Sequence, residues 1–345
     1  MHDAIYGQPG ALRLVGRGNE RVLEAAAARL RAAEHVVLTG VGTSWHAALV
    51  GEAMLAGVGR LGLRARAIHA FDLAGYGPRP EARSGVIVVS HRGTSRYARE
   101  ALDAARAGGA FVVAVTGKGS DGLAGADVVL RTVDPDPSRA HTLSYTAALA
   151  LLGLLAADVG ENADFRHAVD GLPDHVALLL GQESWEDLAR RFAGRRRYWF
   201  VGGGPNTATA LEAALKMSET NYATALAFNC EQFLHGAWGT MTAEDLVVLL
   251  APAGPSQARG HDVARVAREV GAPVLAVVTE GDTELAGLTA ETIEIADVPE
   301  VLSPALAIVP LQLLAYHLAL EAGANPDSMR ADELPHARAL EAFSP

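Results

Sequence analysis

The stretch HVVLTGVGTS at residues 35–44 is an apolar run that breaks into a glycine turn, and RYWFVGGGPN at residues 197–206 does the same. The glycines that open the two turns, Gly40 and Gly202, lie 162 positions apart. Two more pairs of apolar runs recur at nearly the same offset: VIVVSHRG at 86–93 with LVVLLAPAG at 246–254, and AFVVAVT at 110–116 with APVLAVVT at 272–279. Three matches at one offset predict two copies of one structural unit.

Each copy alternates strands with helical segments. The strands are near-continuous runs of Val, Ile and Leu, which are typical of parallel strands buried on both faces. Such alternation predicts βαβ units with right-handed crossovers. We therefore predict an α/β fold with two tandem doubly wound parallel-sheet domains related by an internal repeat. The expected divisions are an N-terminal surface segment at 1–19, a first domain at 20–165, a junction at 166–183, a second domain at 184–325 and a C-terminal tail at 326–345.

Composition excludes several classes of protein. Of the 345 residues, 50% are hydrophobic and 20% charged, which excludes intrinsic disorder. The single cysteine, Cys230, excludes a disulfide framework and a Cys-based zinc site, so we expect a cytoplasmic protein. We also expect no metal and no cofactor. The net charge of −11 and the lack of a basic stripe argue against nucleic acid as a binding partner. The apolar run at 146–157 is too short for a membrane span, and no signal peptide is expected.

Two loops have the composition of an anion site. SHRGTS at 90–95 follows a strand and precedes a helix, so its hydroxyls, its glycine and the helix N–H groups suit a phosphate. The turn at 42–44 is similar, and both should face one crevice beyond the carboxyl ends of the strands. The alternative is that Thr94 and Ser95 cap the helix. The matching loop APAGPS at 251–256 has two prolines and one hydroxyl, so we expect no phosphate there.

Three segments resemble a known family. The chain resembles double SIS-domain (sugar isomerase) proteins, in particular the isomerase half of glutamine–fructose-6-phosphate aminotransferase and stand-alone amino-sugar-phosphate deaminases and isomerases. The resemblance covers about residues 20–330. It rests on GVGTSWHA at 40–47, ALKMSETNYATALAFNCEQFLHG at 214–236 and PLQLLAYHLALEAGANPD at 310–327. The middle segment is the most specific, because a Lys, a Glu and a His fall at the family spacing.

The resemblance implies a phosphorylated sugar or amino sugar as ligand. Its phosphate would be held by the loop after the second strand and by the first turn: Ser90, Gly93, Thr94 and Ser95, with Thr43 and Ser44. The family pattern S-Q-S-G departs here at His91 and Arg92, and Arg92 either replaces a hydroxyl contact with a charged one or points away. The family's S-T-K loop is matched by His141 and Thr142, but its lysine is missing. His91, His141 and Thr142 are thus candidate substrate contacts.

The candidate catalytic residues lie in the middle segment. Aldose–ketose conversion moves a proton between C1 and C2, which calls for a carboxylate, a group that opens the ring and a cation near the enolate. The resemblance implies these roles for Glu219, His235 and Lys216 respectively, and Lys216 and Glu219 share one face of a predicted helix. In the family a carboxylate often stands at the position that Gln232 holds here. Glu231, one position away, is therefore a candidate supporting residue. The alternative is a surface ion pair and an ordinary loop histidine.

Further features select among activities. In the aminotransferase the histidine comes from the neighbouring subunit, so the resemblance implies a homodimer. We expect no glutaminase domain, because 345 residues leave no room and residue 2 is His, and the tail at 331–345 lacks the family's lysine. These features favour a glucosamine-6-phosphate deaminase-like isomerase/deaminase. The alternatives are a fructosamine-phosphate deglycase and a non-catalytic phosphosugar sensor. The two repeats, the Lys/Glu/His set and the lack of a basic recognition helix favour an enzyme.

Overall fold

The computed structural model describes residues 1–182 and 184–342, which contain ten strands. The strands are β1 His35–Thr39, β2 Ala65–Ala67, β3 Ser84–Val89, β4 Phe111–Thr116, β5 Val128–Arg131, β6 Tyr198–Gly202, β7 Ala225–Asn229, β8 Leu246–Ala251, β9 Val274–Thr279 and β10 Glu291–Ile295. The helices are α1 His2–Tyr6, α2 Gln8–Val15, α3 Glu20–Ala32, α4 Thr43–Gly57, α5 Ala70–Gly75, α6 Arg96–Ala107, α7 Leu143–Gly160, α8 Ala163–Leu180, α9 Trp185–Phe192, α10 Asn206–Thr220, α11 Cys230–Leu234, α12 Gln257–Val270, α13 Pro304–Glu321 and α14 Leu334–Glu341.

Two parallel sheets confirm the predicted fold class. The first has the order β2-β1-β3-β4-β5, and the second repeats it as β7-β6-β8-β9-β10. β3 and β8 are buried at all six of their positions, as the apolar runs predicted. Sequence patterns located three strands in each copy, and the structure adds β2, β5, β7 and β10. These four lie at sheet edges and are only partly buried, so they lack the continuous apolar run of an inner strand.

The described chain forms two compact units, each with one sheet. The first unit comprises Gly7–Pro137, His141–Pro173 and residues 334–342. The second comprises Met1–Tyr6, Ser138–Ala140, and residues 174–182 and 184–333. The division falls inside α8, so the segment predicted as a junction is largely helical. The segment at 1–19 is also more ordered than a surface wrap: α1 packs on α13, α2 packs on α7, and Ile5 and Leu12 are buried.

Each unit is centred on an apolar helix. Leu143–Gly160 and Pro304–Glu321, both of 18 residues, are long and apolar enough to cross a membrane by composition. The run predicted at 146–157 is thus part of a longer helix, and length alone does not exclude a span. Burial decides the matter, because 89% and 78% of these helices are buried within the protein. Both are core helices, since α7 packs on α2, α3 and α4, and α13 packs on α9 and α10.

The repeat extends to the backbone of the first turn of each unit. A Cβ atom on Gly40 would lie 2.6 Å from the carbonyl carbon of Ser44, and one on Gly202 would lie 2.4 Å from the carbonyl oxygen of Asn206. Both positions therefore require glycine, because the following helix starts directly over the turn. The equivalent residues Ser44 and Asn206 thus occupy the same place in the two units.

Candidate functional site

The two predicted anion loops lie side by side in the first unit. β1 and β3 are paired in parallel, with Leu38 opposite Ile87, so the turn after β1 and the loop after β3 leave the same edge of the sheet. From β1 the chain passes to β2 on one side, whereas β3, β4 and β5 lie on the other. The loops therefore flank the topological switch point, where open parallel sheets bind their ligands.

Four hydroxyl groups of these loops have no hydrogen-bond partner in the described part of the chain. Within the described chain, the side chains of Ser44, Ser90, Thr94 and Ser95 make no hydrogen bond, although Ser90 is buried and Ser44 and Ser95 are half-buried. Ser95 stands at the N-cap of α6 but does not cap it with its side chain. The alternative interpretation of Ser95 as a side-chain cap is therefore not what the structure shows. Four hydroxyl groups at one sheet edge are open to a ligand.

A second loop, at residues 117–122, holds the 90–95 loop in place. The Gly117 N–H donates to the carbonyl oxygen of His91, and the Ser120 hydroxyl donates to that of Arg92, both at 2.8 Å. Gly93 has a φ of 65°, and a Cβ there would lie 3.1 Å from the Cα of Gly122. Sequence analysis missed this support, although glycines at 117, 119 and 122 after a strand were a visible signal. The 90–95 loop is therefore shaped before any ligand arrives.

A buried carboxylate organises the segment that contains His141 and Thr142. Asp136 Oδ2 accepts hydrogen bonds from the Ser144 hydroxyl at 2.7 Å and from the backbone N–H groups of Ser144 and Thr142 at 3.2 Å. Burial acts to raise the pKa of Asp136, but hydrogen bonds from His141 and Ser144 outweigh it and lower that pKa. Asp136 thus satisfies N–H groups at the start of α7, a role that the sequence did not reveal.

His91 and His141 meet edge-on, with ring centroids 5.7 Å apart. Burial lowers the pKa of His91 to about 4, because a charged imidazole is poorly solvated there. His91 is consequently neutral near pH 7 and brings no positive charge to the loop. Arg92, by contrast, is exposed and forms no ion pair with any residue that the structure describes, so its guanidinium can meet an anion.

The predicted catalytic helix, α10, carries a buried chain of charges in the second unit. Lys216 Nζ lies 2.5 Å from Glu219 Oε2 and 3.3 Å from Glu212 Oε1. The side chains of Lys216 and Glu212 are 0% exposed, and that of Glu219 is 13% exposed. The interpretation as a surface ion pair is therefore wrong. Glu212 was missed as a functional candidate, although the spacing 212, 216, 219 places all three residues on one face.

The charges of Glu212, Lys216 and Glu219 suit proton transfer. Burial acts to lower the pKa of Lys216, but the carboxylates of Glu212 and Glu219 outweigh burial and raise it. Lys216 is therefore a fixed cation that stabilises the ionised form of its neighbours. Among the three, only Glu219 reaches solvent, which is what a base that exchanges a proton with a ligand requires.

His235 lies in a different environment of the same unit. It follows α11 directly and its side chain is 74% exposed. Its Nε2 lies 3.2 Å from Glu231 Oε2, and Arg259 of α12 contacts the same carboxylate through Nε at 2.5 Å and Nη2 at 3.1 Å. The structure thus joins Lys216 to Glu219 and His235 to Glu231. The partnership of Glu231 with Arg259 was not visible in the sequence.

In the second unit, polar groups at the places of the two anion loops are paired with other residues of that unit. The Ser256 hydroxyl donates to Glu300 Oε1 at 3.0 Å, and a Cβ on Gly254 would lie 2.4 Å from the carboxyl carbon of Glu300. Asn206, the counterpart of Ser44, donates from Nδ2 to the Ser303 hydroxyl at 2.8 Å. A carboxylate therefore lies against this loop, which supports the prediction that no phosphate binds there.

Comparison with known proteins identifies the family of both repeats. The family model described as "SIS domain" matches residues 29–158 and 191–322. A glutamine–fructose-6-phosphate aminotransferase from Symbiobacterium thermophilum is 32% identical over 355 residues, covering 96% of this chain and 57% of the relative. The chain thus spans a little over half the length of the curated relatives that it matches.

Solved structures share the fold. The C-terminal domain of glucosamine-fructose-6-phosphate aminotransferase from Francisella tularensis has a TM-score of 0.83 at 17% identity, covering 95% of this chain and 97% of that one. A glucosamine-6-phosphate deaminase from Thermotoga maritima has a TM-score of 0.78 at 21% identity, covering 95% and 96%. At these identities the likeness shows the fold alone, and the reaction has to be argued from the side chains.

Proposed function

The chain belongs to the SIS-domain family, and from that premise we propose that it is an enzyme that binds a phosphorylated sugar or amino sugar and isomerises it between aldose and ketose. With a 2-amino sugar, moving the C2 proton to C1 leaves an imine at C2, which water hydrolyses to the ketose phosphate and ammonia. The proposed activity is therefore glucosamine-6-phosphate deaminase-like. Relatives named as aminotransferases and a structural neighbour named as a deaminase support this choice.

The observation that carries the proposal is the buried chain Glu212–Lys216–Glu219. Replacing buried ion pairs with apolar side chains is often neutral or stabilising, so such a chain is poorly explained by stability alone. A protein that only sensed a phosphosugar would have no need for a buried cation that opens to solvent through one carboxylate. In the proposed reaction Glu219 takes the proton from one carbon and returns it to the next, while Lys216 stabilises the ionised carboxylate.

The phosphate is assigned to the first unit in this proposal. The hydroxyl groups of Ser44, Ser90, Thr94 and Ser95, the backbone N–H groups of Thr94 and Ser95 and the guanidinium of Arg92 supply donors and charge for it. Thr43 is assigned to the phosphate together with Ser44, whereas His91, His141 and Thr142 are assigned to the sugar. A phosphate held there would anchor the ligand without taking part in the chemistry.

A homodimer belongs to the same proposal. His235 is 74% exposed, so it can be presented to a second copy of the chain, where it would open the sugar ring. Mixing Glu219→Gln chains with His235→Ala chains tests this, because a mixed dimer would contain one intact site. Recovered activity would support an inter-subunit site, and its absence in confirmed mixed dimers would place the two groups in one subunit. The cytoplasmic setting stays a prediction.

A panel of phosphorylated hexoses, hexosamines and fructosamines, assayed for ammonia and ketose phosphate, tests the activity directly. Release of both products from a hexosamine phosphate is the expected result. Cleavage confined to a fructosamine phosphate would indicate a deglycase. Tight binding of a phosphosugar without turnover of any member would overturn the enzyme proposal in favour of a sensor.

A further inference from the structure

The polar side chains of Arg259, Glu231 and His235 form a connected line. Arg259 contacts both oxygens of Glu231, at 2.5 and 3.1 Å, and Glu231 Oε2 lies 3.2 Å from His235 Nε2. Arg259 is itself held by Asp262, whose Oδ2 lies 2.7 Å from its Nη1. The mechanism above uses His235 but assigns no chemistry to Glu231 or Arg259. Arg259 and Glu231 therefore lead to His235, which is the only imidazole that the proposed mechanism uses.

The backbone fixes the geometry of this line. β7 ends at Asn229, whose side chain caps α11 by accepting a hydrogen bond from the Gln232 N–H at 2.8 Å. The His235 N–H donates to the Glu231 carbonyl oxygen at 2.9 Å, so the two side chains leave the same face of one helical turn. Arg259 approaches from α12, 28 positions later in the chain. The Glu231 carboxylate is thus held by the planar guanidinium of Arg259 on one side and faces the imidazole of His235 on the other.

Stability does not account for the arrangement. The side chains of Glu231, His235 and Arg259 are 53%, 74% and 42% exposed, and exposed ion pairs contribute about 0–1 kcal/mol. Hydrogen bonds from Arg259 lower the pKa of Glu231, so the carboxylate stays ionised wherever the enzyme works. A permanently charged, rigid acceptor beside a histidine is the arrangement that orients an imidazole and stabilises its protonated form during general acid–base catalysis.

We propose that Glu231, clamped by Arg259, is a positioning residue for His235. By accepting a hydrogen bond from Nε2, it fixes the ring orientation and leaves Nδ1 to exchange a proton with the substrate. No bond to the substrate is made by Glu231 or Arg259. The inference rests on the proposed function, in which His235 opens the sugar ring.

The test is a kinetic comparison of Glu231→Gln and Arg259→Met with the matched control Glu269→Gln. The control removes an exposed carboxylate from α12 of the same unit. We expect Glu231→Gln to lower kcat on the order of tenfold, part of the 10²–10⁴-fold that acid–base catalysis supplies, while KM and Tm stay near the wild-type values. Arg259→Met should lower kcat less, and the double variant should be no slower than Glu231→Gln alone.

Two outcomes would overturn the inference. One is an unchanged kcat in Glu231→Gln. The other is a rise in KM or a fall in Tm that accounts for the whole loss, because a merely structural role would act in that way. Glu219→Gln is run beside these variants to separate the two proposals. If it keeps full turnover, the proposed function itself fails; if it is inactive while Glu231→Gln is unaffected, only the positioning role fails.

Discussion

Loops 90–95 and 251–256 stand at equivalent places in two copies of one fold, yet they differ in the groups that they offer to a phosphate. The positions of Ser90, His91 and Arg92 are held by Ala251, Pro252 and Ala253 in the second unit. The last residue is a serine in both loops. Ser95 has no hydrogen-bond partner in the described chain, whereas Ser256 donates to Glu300 at 3.0 Å.

The comparison shows that topology and residue type together do not make a ligand site. A hydroxyl binds a ligand only if the protein has not already satisfied it. Within the described chain, the hydroxyl groups of Ser44, Ser90, Thr94 and Ser95 in the first unit have no hydrogen-bond partner. In the second unit, Glu300 and Ser303 pair with Ser256 and Asn206. The second unit instead carries the buried charges of α10. We therefore expect binding to be lost by changes in the first unit and chemistry by changes in the second.

The largest effect should come from Glu219→Gln in the second unit. The amide keeps the volume of the carboxylate but cannot act as a base, so turnover should fall by 10²–10⁴-fold. Phosphosugar affinity, measured by calorimetry, should stay within about threefold because the first unit is unchanged. A variant that turns over at the wild-type rate would show that α10 carries no chemistry.

His91→Gln tests the buried imidazole of the 90–95 loop, whose place is held by Pro252 in the second unit. The folded-state pKa of about 4 lies below the ordinary value of 6.5, so the unfolded chain binds the proton first as the pH falls. Wild-type protein should therefore lose stability between pH 6.5 and pH 4, by about 2 kcal/mol at pH 5 relative to pH 7.

The variant should lack this component, as measured by urea unfolding at the two pH values. The neighbouring Asp136 has a lowered pKa and does not titrate in this window. Equal pH dependence in wild type and variant would mean that His91 is not held neutral by burial.

Ser95→Ala and Ser256→Ala form a matched pair at equivalent positions. A hydrogen bond to a charged group contributes about 1.5–3 kcal/mol, so Ser95→Ala should weaken binding of a phosphosugar by about tenfold or more. Ser256→Ala should leave that affinity unchanged, because its hydroxyl is already paired with Glu300. Equal losses in the two variants would contradict the assignment of the phosphate to the first unit.

Glu300→Gln should have the smallest effect. It removes the negative charge beside Gly254 and weakens one charge-assisted hydrogen bond, which should lower the free energy of unfolding by about 1 kcal/mol. Phosphosugar affinity and turnover should stay at wild-type values in calorimetry and in the product assay. A marked loss of affinity would show that the second-unit loop takes part in binding after all.

Much of the fold was predictable because inner strands have a recognisable local pattern of apolar residues. Apolar runs located β1, β3, β4, β6, β8 and β9, since an inner parallel strand must be apolar on both faces. The edge strands were not found because half-buried strands lack that pattern. In the site, the spacing of Lys216 and Glu219 indicated one helix face, but it did not reveal that Lys216 is 0% exposed. Burial of a helix face depends on what packs against it, and the sequence does not name that partner.

The sequence by itself determined that the chain contains one α/β unit twice, where its glycine turns lie and which residue types reach the carboxyl ends of its strands. Tertiary structure alone decided which of those polar groups are satisfied. Ser256 and Glu300 are 44 positions apart, Glu231 and Arg259 are 28 apart, and Gly117 joins His91 from the neighbouring strand. The physical reason is that periodicity records local burial, whereas a hydrogen-bond partner supplied by another element is fixed only when the chain has packed.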